Sequence, residues 1–339
     1  MNSTLQCLSQ TKQLTNFFLN QKNNDIIFNN NIALKNINDL QLSPVFRDLI
    51  IKLWDKNGDK SFSPNEFRIK VEQLNPLFEQ GQAGDSKDFI IFILEQLHKE
   101  LKRPNKNKKN INKAPLNQYD KNNAFNHFFD EFQNELSIIS DVFFGFNETT
   151  NECLNCKNIY NSQGNYNNPI CYNYGIFNCI IFPLEEVKNY KMQLQNFQIN
   201  QNNRVTIYEC FFYYQKTELF TGDNKNYCNV CKQLFDSNYT TKIFSAPTVL
   251  VIILNRGKGN IYDVKLDFSE TIDITQFVLK KDKSNIIYNL YGVITHLGKS
   301  GPDAHFIASC KSPVDNKWYK YNDAFVTPVN NIQKEVVEL

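Results

Sequence analysis

The chain has 339 residues with Lys+Arg 37 against Asp+Glu 35 and a formal charge of +2, long enough for a substantial core and too balanced to suggest nucleic acid or an anionic membrane as a partner. No stretch reaches the roughly 18 apolar residues needed to cross a bilayer, and the opening interleaves Asn, Gln, Ser and Lys with apolar residues, unlike a secretory signal. The nine cysteines are an odd number and include two Cys-x-x-Cys pairs, a usage that fits an intracellular chain (cytoplasm or nucleus) and favours metal over disulfides.

In chain order, Leu5, Leu8, Leu14, Phe17 and Phe18 fall at the spacing that lays one helical face on a core, which predicts a helix at the start. Asp55, Asn57, Asp59, Ser61 and Glu66 occupy the ligand positions of a loop resembling a calcium-binding EF-hand. Lys60 stands where that loop's sharp turn needs glycine, and Pro64 suits the following helix only as its first residue, so the stretch reads as a polar surface loop. Asp85 is positioned to cap a helix with Asp88 as its third residue and Phe89, Ile90, Phe92, Ile93, Leu94, Leu97 and Leu101 on a broad buried face. Residues 103–126 turn to Asn and Lys with little apolar content and read as a solvated insertion.

Cys153-x-x-Cys156 and Cys228-x-x-Cys231 each put two thiolates on a tight turn, and two such turns can complete one tetrahedral site at ordinary zinc-to-sulfur distances. A β-hairpin system has to bring the pairs together; the alternative is two turns of ordinary free thiols. Cys171, Cys179 and Cys210 lack paired spacing and read as free, partly buried thiols. Farther on, residues 249–254 are a continuous apolar run, 288–295 alternate, and 304–310 and 317–321 are rich in aromatics, which predicts strands of one sheet. Helices first and strands later predict an α+β class.

His305 heads one predicted strand, and Asn322 and Asp323 follow the start of the next. Adjacent antiparallel strands would let Asn322 accept from one imidazole nitrogen and leave the other to take a proton from a thiol, as in Cys/His/Asn sites. The run from Tyr288 through Gly292 to His296, then Ala304-His305-Phe306 and Trp318-Tyr319-Lys320-Tyr321-Asn322-Asp323, resembles the histidine box of the ubiquitin-specific proteases. The opening Met1-Asn2-Ser3-Thr4-Leu5-Gln6-Cys7-Leu8 resembles the tail of the same family's cysteine box, in an alignment that puts the nucleophile two residues before Met1. Cys7 then lies on a helix face, without the N-terminal dipole that favours a thiolate, and is not read as the nucleophile. Leu74 to Phe78 with Asp85 to Phe89, the paired cysteines and residues 249–256 extend the likeness over almost the whole chain.

The resemblance implies an α+β, papain-like cysteine protease fold with a helical thumb (residues 1–145), zinc-bearing fingers (146–240) and an antiparallel-sheet palm (241–339), which grips ubiquitin and cleaves after its C-terminal glycine. It implies His305, Asn322 and Asp323 as catalytic residues, structural Zn2+ on Cys153, Cys156, Cys228 and Cys231, and ubiquitin and ubiquitinated proteins as partners. Asp85 would help hold the ubiquitin tail, although the helix cap accounts for the same residue; His296 either lines the cleft or packs, with packing preferred. Ala304 stands where the family usually has Gly, Gly84 where Gln is common, and Asp88 in place of Glu. Three readings follow: an enzyme acting with a thiol ahead of Met1, a non-catalytic ubiquitin-binding module, and a zinc-bearing adaptor unconnected with ubiquitin. The 339 residues as they stand are expected to bind ubiquitin without cleaving it.

Overall fold

The apolar opening folds as two helices, α1 (Asn2–Ser9) and α2 (Lys12–Leu19), not one. They separate where the Ser9 carbonyl accepts Trp54 Nε1 at 3.0 Å and Thr15 Oγ1 at 2.8 Å, so tertiary bonds replace an intrahelical partner. The computed structural model describes residues 1–19, 40–58, 61–79, 85–103, 115–164, 169–194, 204–256, 264–280, 284–298 and 305–337. Asp59, Lys60, Gly84, Ala304 and residues 104–114 of the expected insertion lie outside them.

The next helix, α3 (Ser43–Trp54), has Leu42 at its N-cap and no side-chain cap of its own. Glu100, only 2% exposed, supplies one from a distance: its carboxylate accepts Leu42 N and Ser43 N at 2.8 to 3.0 Å, placing negative charge at the helix's positive end. Asp55 terminates α3 and closes a turn on Asn57 N at 2.9 Å, while Pro64 is the N-cap of α4 (Asn65–Leu74), not its first residue. The calcium-like pattern thus begins at a helix end. Asp85 caps α5 (Ser86–Glu100) by accepting Lys87 N at 2.8 Å.

Residues 121–126 correct the reading of 103–126 as one solvated loop, because α6 (Lys121–Phe132) starts there, capped by Asp120. Its Phe125 meets Tyr174 edge-on and Phe244 at a tilt, and Phe128 and Phe132 meet Phe146 edge-on. The apolar stripe begins only at Phe125, so a compositional window dominated by Asn and Lys hides it. After α7 (Ile138–Phe143) the helical half is complete, and α1 to α5 and α7 share a core that includes Leu14, Phe18, Phe46, Ile50, Phe67, Leu97 and Phe143.

The chain then turns to strands: β1 (Gly145–Cys153), α8 (Leu154–Ser162), β2 (Ile170–Phe177), β3 (Ile180–Pro183), α9 (Leu184–Leu194), β4 (Arg204–Thr206), α10 (Ile207–Tyr214), β5 (Thr217–Phe220), β6 (Asn226–Cys228), β7 (Gln233–Phe235) and β8 (Ser237–Ser245). An antiparallel sheet has the order β2-β1-β8-β5, and Tyr172 N, on its β2 edge, donates to the Gln118 carbonyl at 2.7 Å. There follow β9 (Ile252–Asn255), β10 (Lys265–Asp267), β11 (Thr271–Asp273), β12 (Ile287–Asn289), β13 (Gly292–Leu297), β14 (His305–Lys311), β15 (Trp318–Asn322) and β16 (Phe325–Pro328).

The single sheet expected from the second half is divided. Among the described residues, β13-β14-β15-β16 form one antiparallel sheet, while β9 runs parallel to β3 and β12 pairs with β11. The alternating run 288–295 breaks at Leu290 and Tyr291: Leu290 N donates to Glu270 O, whereas the Tyr291 carbonyl accepts Lys311 N. A second core, with Phe182, Val205, Phe211, Ile243 and Phe277, lies under the small pairs. Period-two alternation marks strand character but carries no information on the partner strand.

Candidate active site

His305 opens β14 and Asn322 ends β15, and the antiparallel register, with Ala308 opposite Tyr321, brings the two ends to the same side of the sheet. His305 Nε2 lies 2.7 Å from Asn322 Oδ1. An amide oxygen only accepts, so Nε2 carries the hydrogen and Nδ1 is the nitrogen left to take a proton. Asp323 begins the tight turn to β16 with φ 51°, a left-handed conformation that Asp tolerates better than most residues. Its Oδ2 is 3.9 Å from His305 Nε2, and its Oδ1 accepts from Asn2 Nδ2 at 3.4 Å.

The first turn of α1 is tied to these strands. Ser3 Oγ donates to the Phe306 carbonyl at 2.7 Å, next to the imidazole. Met1, Asn2 and Ser3 on one side, His305, Phe306 and Asp323 on another, and Ser63, Pro64, Asn65 and Arg68 on a third line one cleft. His305 keeps 41% of its side chain exposed there. The wall from the start of α4 was not anticipated: Ser63-Pro64-Asn65 signals a helix start but not what that start faces. Arg68 is held toward its own helix by Glu72 at 2.9 Å.

Two other residues singled out by the sequence lie off this lining. Asp85 is exposed at the head of α5, and His296 on β13 is exposed with its ring 4.8 Å from that of Phe306. Cys7 is also outside the cleft lining, with Sγ 3.5 Å from Cys310 Sγ.

The four paired cysteines come together away from the cleft. Cys153 ends β1 and Cys156 is in the first turn of α8, so the first pair sits at a strand-to-helix junction and not on a simple turn; Cys228 and Cys231 span the β6–β7 hairpin. All four Sγ atoms lie within 4.8 Å of one another, with Cys156 to Cys231 at 3.1 Å and Cys156 to Cys228 at 3.6 Å. A tetrahedral cation with metal–sulfur bonds of about 2.3 Å sets sulfurs about 3.8 Å apart, so the cluster could hold a metal ion. Burial, and then the Cys231 and Cys228 sulfurs, push the Cys156 thiol up, and a bound cation would favour its thiolate form. Asn155 Nδ2 donates to Cys231 Sγ at 3.3 Å and Cys231 N to Cys228 Sγ at 3.4 Å, the kind of outer bonds that orient sulfur ligands.

Tyr119, missed in the sequence because it sits in the Asn/Lys-rich stretch, is near enough to this cluster for its sulfurs to act on the phenol. Burial, and then the Cys228, Cys171 and Cys156 sulfurs, push its phenol up to about 12.

A family model described as ubiquitin carboxyl-terminal hydrolase matches residues 1–338. Ubiquitin carboxyl-terminal hydrolase 2 of Bos taurus is 25% identical over 345 residues, covering 98% of this chain and 51% of the relative. Ubiquitin carboxyl-terminal hydrolase 21 of Homo sapiens is 24% identical over 356 residues, covering 98% and 57%. The chain spans about half the length of the curated relatives it matches. Among solved structures, a chain of the SAGA Ubp8/Sgf11/Sus1/Sgf73 DUB module bound to ubiquitin aldehyde aligns with a TM-score of 0.65 at 21% identity, over 99% of this chain and 64% of that one. That likeness shows the fold, the α+β papain-like architecture expected from the sequence. Among the described residues, no helix is long and apolar enough to cross a membrane.

Proposed function

Because the chain belongs to the ubiquitin carboxyl-terminal hydrolase family, we propose that it is the catalytic region of a deubiquitinase that hydrolyses the bond after the C-terminal glycine of ubiquitin. The observation that carries this reading is the 2.7 Å contact of His305 with Asn322 on a cleft walled by the first turn of α1. In the proposed reaction a thiol two positions ahead of Met1 loses its proton to His305 Nδ1 and attacks the glycine carbonyl carbon. His305 returns that proton to the departing amine, leaving a thioester that water hydrolyses with the same imidazole as base. Asn322 holds the ring through Nε2, and the Asp323 carboxylate lies 3.9 Å from the same nitrogen.

The remaining assignments extend this proposal. Residues 1–145, 146–240 and 241–339 act as thumb, fingers and palm, with ubiquitin and ubiquitinated proteins as partners, Asp85 steadying the ubiquitin tail and His296 flanking its approach. Zn2+ is the cation proposed for Cys153, Cys156, Cys228 and Cys231, since four soft, closely spaced sulfurs suit it and leave no coordination position open for chemistry. Reduced thiols on such a site fit an intracellular location.

The test compares the 339-residue polypeptide with the same chain preceded by Gly-Asn-Thr-Cys-Phe, using a fluorogenic ubiquitin C-terminal amide and a ubiquitin column. Both are expected to bind and only the extended one to hydrolyse. Hydrolysis by the shorter chain moves the nucleophile elsewhere, binding without hydrolysis by either favours a non-catalytic ubiquitin-binding module, and failure of both to bind ends the reading.

A further inference from the structure

Cys7 and Cys310 take no part in the proposed reaction or in the metal cluster, yet their sulfurs are in contact at 3.5 Å although the residues stand 303 positions apart. Cys7 lies on α1, the helix whose first turn walls the cleft. Cys310 lies on β14, the strand that His305 begins. Gly292 of β13 is paired directly opposite Cys310. A Cβ at Gly292 would stand 3.2 Å from Cys7 Sγ, a tight contact, and 3.9 Å from Cys310 Sγ, an ordinary one, so a larger residue there would crowd Cys7.

The two thiols differ in access. Cys310 is fully buried, and the Cys7 sulfur and burial together hold its thiol well above the usual range; Cys7 is only partly buried. An oxidant in solution therefore reaches Cys7 first and finds Cys310 as the adjacent second thiol, the arrangement of an attacking and a resolving cysteine. We propose that Cys7 and Cys310 form an oxidisable dithiol that a hydroperoxide converts into a disulfide joining the opening helix to the histidine-bearing strand.

The chemistry proceeds in two steps. The Cys7 thiolate attacks the outer oxygen of the hydroperoxide and the O–O bond breaks; the departing alkoxide takes the proton the Cys7 thiol had released, giving Cys7 sulfenic acid and the alcohol, or water from hydrogen peroxide. Cys310 sulfur then attacks the Cys7 sulfur, the S–O bond breaks, and the hydroxyl leaves as water with the proton from Cys310. Two thiols are oxidised by one peroxide oxygen, with no other reductant or oxidant needed. The sulfurs must approach by about 1.5 Å to reach a disulfide bond of about 2.05 Å.

Bond formation at this pair does not depend on the proposed hydrolase activity, and its test reads the covalent product. The metal-loaded 339-residue chain is treated with hydrogen peroxide at low molar excess, alkylated, and digested without reduction. The expected product is a cross-linked peptide pair containing Cys7 and Cys310, two mass units lighter than the sum of the reduced peptides and abolished by prior dithiothreitol. In Cys310→Ser the second thiol is gone, and a 1,3-dicarbonyl probe for sulfenic acid is expected to label Cys7 at least tenfold more than in the unsubstituted chain. Recovery of both cysteines as alkylated thiols, oxidation of Cys7 past sulfenic acid without a cross-link, or cross-linking of either to another cysteine overturns the proposal. If Cys310→Ser does not fold, the peptide map of the unsubstituted chain decides alone.

Discussion

The Ser137 hydroxyl lies 2.8 Å from Nδ1 of His98 while its oxygen already accepts Ile139 N and Ser140 N, both at 3.1 Å. With both acceptor positions used, the hydroxyl hydrogen must point at Nδ1, so the ring is held neutral with its hydrogen on Nε2. Protonating His98 would set N–H against O–H and unseat the cap of α7.

A pH dependence follows. Burial first, then the Lys102 charge, lowers the His98 pKa from 6.5 to about 4, with Glu135 opposing. Between those values the unfolded chain binds a proton that the folded chain does not, so this group's contribution makes stability fall as pH drops from about 6.5 toward 4 and leaves it unaffected above. Urea unfolding across that window should show a smaller loss in His98→Asn than in the unsubstituted chain. Parallel pH profiles in the two proteins would contradict the neutral, buried imidazole.

Glu100 should matter more than a surface carboxylate. It holds Leu42 N and Ser43 N and also accepts Gln96 Nε2 at 2.7 Å. Glu100→Ala leaves two backbone donors at the start of α3 without that partner, and the expected loss is about 2–4 kcal/mol of unfolding free energy. Glu100→Gln keeps an acceptor oxygen and should lose less. Equal denaturant midpoints for all three proteins would rule out the remote cap.

The cysteine cluster predicts one zinc ion per chain by elemental analysis. Cys228→Ser removes a ligand from the buried side, and both metal content and stability should drop, the latter by at least about 2 kcal/mol. A chain that purifies without metal and gains no thermal stability on adding zinc would leave the four thiols as simple packing.

On the proposed chemistry, Asn322→Ala in a chain carrying the upstream thiol should lower kcat/KM for the ubiquitin amide about 10- to 100-fold, the equivalent of about 1–3 kcal/mol of orientation lost. Asp323 is near enough to His305 to take over part of that role. The double substitution should therefore cost more than the product of the two single effects. An Asn322→Ala enzyme with unchanged kcat/KM across the pH range would remove the residue from the proposed site.

Much of the candidate site is legible in the sequence. The histidine box and the tail of the cysteine box are local strings, and local strings are what sequence records best. The cap at Asp85 was legible for the same reason, since a cap acts over two or three residues. The Cys-x-x-Cys pairs were legible as motifs, but not the mixed strand-to-helix and hairpin support beneath them.

Other features were hidden because their cause lies far along the chain. The opening helix stops at Ser9, whose carbonyl accepts from nearby Thr15 Oγ1 and also from Trp54 Nε1, 45 residues away. The α3 cap comes from Glu100, which a search for Ser, Asp or Asn before the helix cannot find. The contact of Cys7 with Cys310 has no signature in spacing at all.

Residue type and short-range spacing alone determined the α+β class, the histidine-box and cysteine-pair motifs and the family resemblance, because each depends on neighbours within a few positions. Tertiary structure decided which strands pair, which helix start walls the cleft, which carboxylate caps α3 and which thiol meets Cys7. Those outcomes depend on backbone groups and sulfurs distant in sequence finding partners in the folded chain, and a linear pattern of apolar and polar residues does not specify a partner.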